Sequence, residues 1–454
     1  TMLSYYKNKD NPNFKSTNYS INFASEEDAD AAIEQYKADI MQEGDEIVDG
    51  SETVIYTLQP QASLTVIDQS TGEVKAIVGG RGDKTASKTL NRATDTTRQP
   101  GSTFKILAAY SAALDAGGLT LASVQDDAPY TYAGANGKSV NNYDRRYRGF
   151  TTLREAITDS INIVTVKTLA QAGVSLGWQY VQEYGFTTVD SRDMNEALAL
   201  GGITQGVSNL ELTAAYAAIA NQGTYIRPKF YTKILDHDGN VLIDNTTPES
   251  HTVIKDTTAW LLTSAMEDVM TSGTGTSAYF GSSMAQAGKS GTTTSSRDAL
   301  FAGYTPYYTC AVWGGYDDNA MQKGSDTNYP KRIWKAVMKR IHENLAYKDF
   351  TKPSGIVAVA VCKESGKLPI EGVCDHDPRG NCVITEYFAQ GTEPTEYCDH
   401  HTVANICTAS NMLAGSYCPA ETVTTGVYVI GGDNRRCTLP VNRCILKSDM
   451  YRTQ

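Results

Sequence analysis

Apolar residues recur along this chain at two periods, and the change of period marks the change of element. Leu64, Val66 and Ile67 precede Asp68-Gln69-Ser70-Thr71-Gly72, and Val74, Ala76, Ile77 and Val78 follow it. Two apolar runs around a polar, glycine-containing turn predict a β-hairpin. After Pro100-Gly101, the residues Phe104, Leu107, Ala108 and Leu114 recur at helical spacing and stop at Gly117-Gly118, which predicts a helix. Thr152-Leu153-Arg154-Glu155 has capping-box spacing and predicts the start of a second helix. Helical patterns continue over 163–170, 210–221 and 257–270, strand-like runs cover 284–293, 299–304 and 309–316, and a last helix is predicted over 331–346. A hairpin, a block of helices, then three strands and a helix describe a sheet assembled from both ends of a domain. The expected fold is α/β, with an antiparallel sheet and a helical insertion, over residues 59–349.

The flanks differ in character. Residues 1–58 are polar, with an amphipathic helix predicted over 25–41; its Ser25-Glu26-Glu27-Asp28 start suits the positive end of a helix dipole. This segment reads as a linker or scaffold. Beyond Pro353 the chain reads as loop-rich, and residues 350–454 form a separate small module. Cys362, Cys374, Cys382, Cys398, Cys407, Cys418, Cys437 and Cys444 all lie there, which leaves only Cys310 upstream, in an apolar run that predicts a core position. Crowded thiols suggest disulfides and an oxidising, extracytoplasmic setting. Zinc is the competing reading, because His376, His400 and His401 sit near Cys374 and Cys398. Disulfides are favoured over zinc because no clean pair of Cys-x-x-Cys knuckles occurs.

Composition narrows the function. With 41% hydrophobic and 20% charged residues the chain is ordinary for a globular protein, and no run approaches the roughly 18 apolar residues of a membrane span. A formal charge of -11 argues against nucleic acid as a partner. The start, Thr1-Met2-Leu3-Ser4, has no basic stretch followed by an apolar one, so the chain reads as an excised fragment whose export signal lies elsewhere.

Three short elements could carry chemistry: Ser102-Thr103-Phe104-Lys105, Ser160-Ile161-Asn162 and Lys289-Ser290-Gly291. Singly the first two are weak, since Ser-x-x-Lys also occurs at Ser4 to Lys7 and Ser-x-Asn at Ser16, Ser20 and Ser139. Their order and context raise the odds: the first opens a helix, the second joins two helices, the third sits on a strand. A serine hydroxyl needs a base, and Lys105, three residues on, shares a helical face with Ser102. To act as base Lys105 must be neutral, so a pKa near ~10.4 has to fall by about three units. Burial beside a second cation, Lys289, would achieve this. Ser160 can pass a proton between a lysine and a leaving amine, and Asn162 can hold a peptide carbonyl. Ser290 and Thr292 would offer hydroxyls to a terminal carboxylate, and Gly291 would leave room for a ligand against the strand. The backbone N–H groups of Ser102 and Thr292 would form an oxyanion hole. No cofactor and no metal ion are expected in this chemistry.

This ordered set resembles the penicillin-binding protein and serine β-lactamase superfamily. Arg98-Gln99-Pro100-Gly101-Ser102, Asn142-Tyr143-Asp144, Gly201-Gly202-Ile203-Thr204-Gln205-Gly206-Val207 and Gly303-Tyr304-Thr305-Pro306 look like class A penicillin-binding proteins of Gram-positive, clostridium-like bacteria. Residues 354–401 partly resemble the usual C-terminal extension of that class, whereas so many cysteines exceed it. The resemblance implies a five-stranded antiparallel sheet flanked by helices with a helical subdomain. It also implies a D,D-transpeptidase at the outer face of the cell membrane that acts on peptidoglycan stem peptides through an acyl-Ser102 ester and is trapped by β-lactams. Such proteins also carry a glycosyltransferase domain and a membrane helix, neither of which is in this chain, so a membrane partner is expected only through a missing N-terminal anchor. A D,D-carboxypeptidase or β-lactamase of the same superfamily would send the acyl group to water, but Ser160-Ile161-Asn162 lacks the central aspartate usual in class A β-lactamases. A non-enzymatic β-lactam sensor would acylate and stop.

Overall fold

The computed structural model describes residues 1–84, 86–133, 137–323, 327–410, 412–431 and 444–446. In the N-terminal segment, α1 (Glu26–Ile40) begins where the acidic cluster predicts, and the Ser25 side chain accepts from the Asp28 N–H at 3.2 Å. The expected hairpin is β1 (Gln61–Asp68) and β2 (Glu73–Val78). The helices that follow include α2 (Leu153–Thr158), α3 (Asn162–Ala172), α4 (Asn209–Ala220) and α5 (Asp256–Thr271). Then come β3 (Ala287–Thr292), β4 (Asp298–Tyr304), β5 (Thr309–Gly315) and α6 (Tyr329–Ile341). The five strands form one sheet in the order β3-β4-β5-β1-β2, with every neighbouring pair antiparallel. The late strands thus complete a sheet that the early hairpin begins.

Strand alternation sorts the interior into two layers. Along β5, Cys310 and Val312 pack with Leu64, Val66 and the α6 residues Trp334 and Met338. Ala311 and Trp313 face the other way, into the larger cluster that holds Leu212, Ala215 and Tyr216 of α4. Burial of each such large side chain is worth about 1.5–3 kcal/mol, so this sandwich is a rigid base for the strand at its edge, β3. Cys310 is a core residue, as its apolar run predicts.

The helix predicted after Gly101 is three pieces: a 3₁₀ turn over Gly101–Thr103, a π-helical turn over Ile106–Tyr110 and an α-helical turn over Ser111–Asp115. Its residues from Phe104 to Ala109 are fully buried, so the side chains are set by tertiary packing on all sides rather than by one amphipathic face.

The C-terminal region contains more strand than a loop-rich reading allows. A hairpin of β6 (Ile356–Cys362) and β7 (Val383–Ala389) is followed by the antiparallel pair β8 (His401–Cys407) and β9 (Val423–Gly431). Between them, glycines, prolines and cysteines crowd the connections and hide a strand pattern that each segment carries by itself. The hairpin docks on the main domain through Glu386, whose buried carboxylate takes two hydrogen bonds from Arg154 of α2 at 2.7 Å each. The disulfide framework expected here is not formed among the described residues: Cys362, Cys374, Cys382, Cys398, Cys407 and Cys418 are all free. Three of these sulfurs, those of Cys362, Cys374 and Cys398, gather around one histidine, as described below. Cys437 lies outside the described residues.

Candidate active site

The edge strand β3 runs beside the turn that carries Ser102, and glycine makes this approach possible. A Cβ on Gly291 would stand 2.7 Å from the Pro100 carbonyl oxygen and 2.9 Å from Thr103 Cγ2. Gly291 therefore makes room for the protein's own serine-bearing turn, which corrects the expectation that it leaves space for a ligand. On the other flank Gly201, at φ +74°, lies so close to Gly101 that a Cβ would be 2.6 Å from its carbonyl oxygen. That loop is fastened by Gln99, which accepts from the Ile203 N–H at 3.0 Å and donates to the Ile203 carbonyl, and by a backbone bridge between Arg98 and Val207. The Thr292 nitrogen is 3.3 Å from where a Cβ on Gly101 would lie, so the N–H groups of Ser102 and Thr292 belong to adjoining backbones.

Lys105, Ser160, Asn162 and Lys289 meet at one point. Lys105 Nζ donates to the Ser160 carbonyl at 2.6 Å, to Asn162 Oδ1 at 2.7 Å and to Ser160 Oγ at 3.2 Å. Lys289 Nζ donates to the same Ser160 Oγ at 2.8 Å. Ser160 has φ +57°, a left-handed conformation costly for a residue with a side chain, and this turn points its carbonyl at Lys105. Asn162 opens α3 with its other amide end donating to the Asn141 carbonyl at 2.6 Å. Asn142 Oδ1 accepts from the N–H groups of Asn162 and Ile163 at 3.0 and 3.2 Å, so a side chain twenty residues upstream caps the helix that presents Asn162.

Both lysines are fully buried. Burial holds Lys105 well below the ordinary lysine value, and the Lys289 ammonium adds to that. Burial pushes Lys289 itself down to about 7, with a further contribution from Lys331 of α6. A neutral Lys105 has two N–H bonds and one lone pair. The Ser160 carbonyl and Asn162 Oδ1 can only accept, so in that state they take both hydrogens, the donation to Ser160 Oγ is given up and the lone pair is left to take a proton. Among the described residues the half-buried Ser102 hydroxyl makes no side-chain hydrogen bond, and none of those from Lys105 goes to it. The regular helical pairing expected of these two residues is replaced by a 3₁₀ turn that holds Ser102 next to β3.

Ser290 and Thr292 separate. Ser290 is buried with its hydroxyl donating to Thr274 Oγ1 at 2.8 Å, whereas Thr292 is exposed at the end of the strand and free to meet a ligand. Thr274 and Lys331 went unseen in the sequence. Lys331 Nζ donates to the Thr274 carbonyl at 3.0 Å, so one loop residue links the strand triad to α6. Neither sits in a motif; only the basic Pro330-Lys331-Arg332 start of α6 hints at a cation there.

This arrangement can generate an alkoxide-like serine next to two backbone donors and a cation, which suits acyl transfer. Residues 62–342 match the family described as the penicillin binding protein transpeptidase domain, and residues 352–403 match the C-terminal domain of penicillin-binding protein 1A. The chain is 37% identical over 392 residues to penicillin-binding protein 1A of Clostridium botulinum, which covers 84% of this chain and 46% of that relative. It thus spans about half the length of the curated relatives it matches. Among solved structures it is similar to penicillin-binding protein 1A from Haemophilus influenzae, with TM-score 0.64 and 27% identity over 75% of this chain and 54% of that one. It is also similar to the penicillin-binding protein PonA1 from Mycobacterium tuberculosis, with TM-score 0.56 and 26% identity over 65% of this chain and 80% of that one. A five-stranded antiparallel sheet with the serine turn against its edge, and two domain matches in the same order, lead to one assignment: the chain belongs to the penicillin-binding protein transpeptidase family, with a penicillin-binding protein 1A type C-terminal domain.

Proposed function

We propose that this chain is a serine D,D-transpeptidase that cross-links peptidoglycan stem peptides outside the cell membrane and is acylated by β-lactams. Residues 59–349 are its catalytic domain, 1–58 the linker from a glycosyltransferase domain and 350–454 an accessory module. Ser102 Oγ attacks the carbonyl carbon of the penultimate D-alanine while the Lys105 lone pair takes its proton. The developing oxyanion is held by the N–H groups of Ser102 and Thr292. When the C–N bond breaks, Ser160 relays a proton to the departing D-alanine amine, leaving an acyl-Ser102 ester. An amine from a neighbouring strand then attacks the ester, its proton returns through the same lysine and serine, and Ser102 Oγ is released. Asn162 steadies the peptide, and Lys289 with Thr292 receives its terminal carboxylate.

The observation that carries this reading is the shared contact of Lys105 and Lys289 with the Ser160 hydroxyl, in a buried site that holds Lys105 well below the ordinary lysine value. Intact-mass spectrometry after mixing with benzylpenicillin tests it. Opening a lactam expels no leaving group, so the parent should gain one whole drug mass and Ser102→Ala none. An adduct that survives in Ser102→Ala would exclude Ser102 as nucleophile, and rapid turnover of the drug would indicate a β-lactamase.

A further inference from the structure

Outside the serine site, the cysteine-rich module brings together a second set of reactive side chains. One ligand atom from each of Cys362, Cys374, Cys398 and His401 lies within 4.8 Å of every other, and all four residues are buried. They come from four places in the chain: the last residue of β6, a 3₁₀ turn, a loop and the first residue of β8. His401 Nδ1 stands 3.4 Å from both Cys362 Sγ and Cys398 Sγ. In a tetrahedral zinc site, with Zn–S about 2.3 Å and Zn–N about 2.0–2.1 Å, neighbouring S and N ligands are about 3.6 Å apart.

The surroundings are those of a ligand set. His401 Nε2 is 2.7 Å from Asp377 Oδ2, which holds the ring in the tautomer whose Nδ1 lone pair faces the sulfurs. Asp377 is fixed in turn by Arg379, whose Nε and Nη2 reach its two oxygens at 3.0 and 2.8 Å. Backbone N–H groups point at two of the sulfurs, from Ile370 to Cys374 Sγ at 3.2 Å and from His400 to Cys398 Sγ at 3.4 Å. Such donors favour the thiolate. A disulfide would consume sulfurs two at a time, whereas here three surround one imidazole. Cys382, the fourth cysteine of the apolar cluster here, donates to the Gly380 carbonyl at 3.6 Å, and its sulfur lies within 4.8 Å of ligand atoms of Asp377 and His401. The apolar cluster at this spot consists of these four cysteines with Ile370 and Val383 packed against them, too little to hold two sheets together by burial alone.

We propose that Cys362, Cys374, Cys398 and His401 bind one zinc ion as a closed structural site that clamps the β6–β7 hairpin to β8. Each thiol releases its proton to solvent on binding, and His401 keeps the proton that it shares with Asp377. The clamp is linked to the main domain, because the hairpin it fixes carries the Glu386 partner of Arg154. The expectation that disulfides outrank a metal is thereby reversed.

Metal analysis and intact mass of the full chain, purified without chelator both with and without reductant, test this. The parent and Cys382→Ser should each hold close to one zinc per chain. Cobalt loaded into the stripped parent should show thiolate-to-metal charge-transfer absorption. Cys374→Ser and His401→Ala should lose stoichiometric zinc, and Asp377→Asn, which leaves the ligands intact, should bind it roughly 10- to 100-fold more weakly. Near-ultraviolet circular dichroism of each variant checks that the main domain is folded. A zinc-free parent whose mass falls by two hydrogens per cysteine pair would overturn the site in favour of disulfides. Zinc lost in Cys382→Ser and retained in His401→Ala would overturn the ligand assignment.

Discussion

Replacing Lys289 with methionine removes a cation while keeping the bulk of the side chain, and it isolates how a neighbouring charge lowers the pKa of Lys105. Lys105 Nζ and Lys289 Nζ are 3.2 and 2.8 Å from one hydroxyl oxygen, so they are at most about 6 Å apart. At an effective dielectric near 20, two unit charges at that distance repel by about 3 kcal/mol, which is roughly two pKa units. Lys105 titrates first, while Lys289 is still charged. The acidic limb of the acylation rate should therefore move up by about two units in Lys289→Met. The parent should also slow as pH rises through about 7, where Lys289 loses its charge, and the variant should lack this limb. Losing the carboxylate contact lowers the rate at every pH, so the shape of the profile is diagnostic and the absolute rate is not. Second-order acylation by a chromogenic cephalosporin, followed from pH 5 to 10, gives both limbs.

Stability supplies an independent readout of the same substitution. The fold holds Lys289 below its ordinary value, so between about 7 and ~10.4 the unfolded chain binds more protons and stability of the parent rises with pH. Lys289→Met lacks that contribution, so it should be the more stable chain at pH 7, and its advantage should shrink toward pH 10 in urea titrations. If the acidic limb stays in place while only the plateau falls, the neighbouring charge does not tune Lys105 and the electrostatic argument is wrong.

Two further substitutions probe the scaffold. Gly291→Ala places a Cβ 2.7 Å from the Pro100 oxygen, so it should push the serine turn off β3 and slow acylation by at least ~100-fold, the size of one lost oxyanion donor, while urea stability falls by about 1–3 kcal/mol. An unchanged acylation rate would mean that the turn has slack the contact distances deny. Arg154→Ala leaves the fully buried Glu386 carboxylate without its cation and should cost about 3–5 kcal/mol, seen as a lower urea midpoint; a loss below 1 kcal/mol would show that water reaches that carboxylate.

Local rules account for what was legible in the sequence. The sheet strands, the helices after Thr152 and the Ser25 cap depend on neighbours within a few residues, and a periodic pattern carries that information directly. The meeting of Lys105, Ser160 and Lys289 is a long-range contact, which their order along the chain suggests and only the folded chain makes. The irregular path from Gly101 to Asp115 was hidden, because a turn buried on every side has no exposed face to betray its period. Gly291 was misread for a related cause: a missing side chain does not say which backbone needs the space. The lowered pKa of Lys105 comes from desolvation by many residues and repulsion from a lysine far away in sequence, and neither quantity belongs to any short segment. The cysteines show the division most clearly. Counting them places a staple in the last quarter of the chain, but whether sulfurs meet in pairs or around a common centre depends on how two sheets pack, which only the folded chain determines.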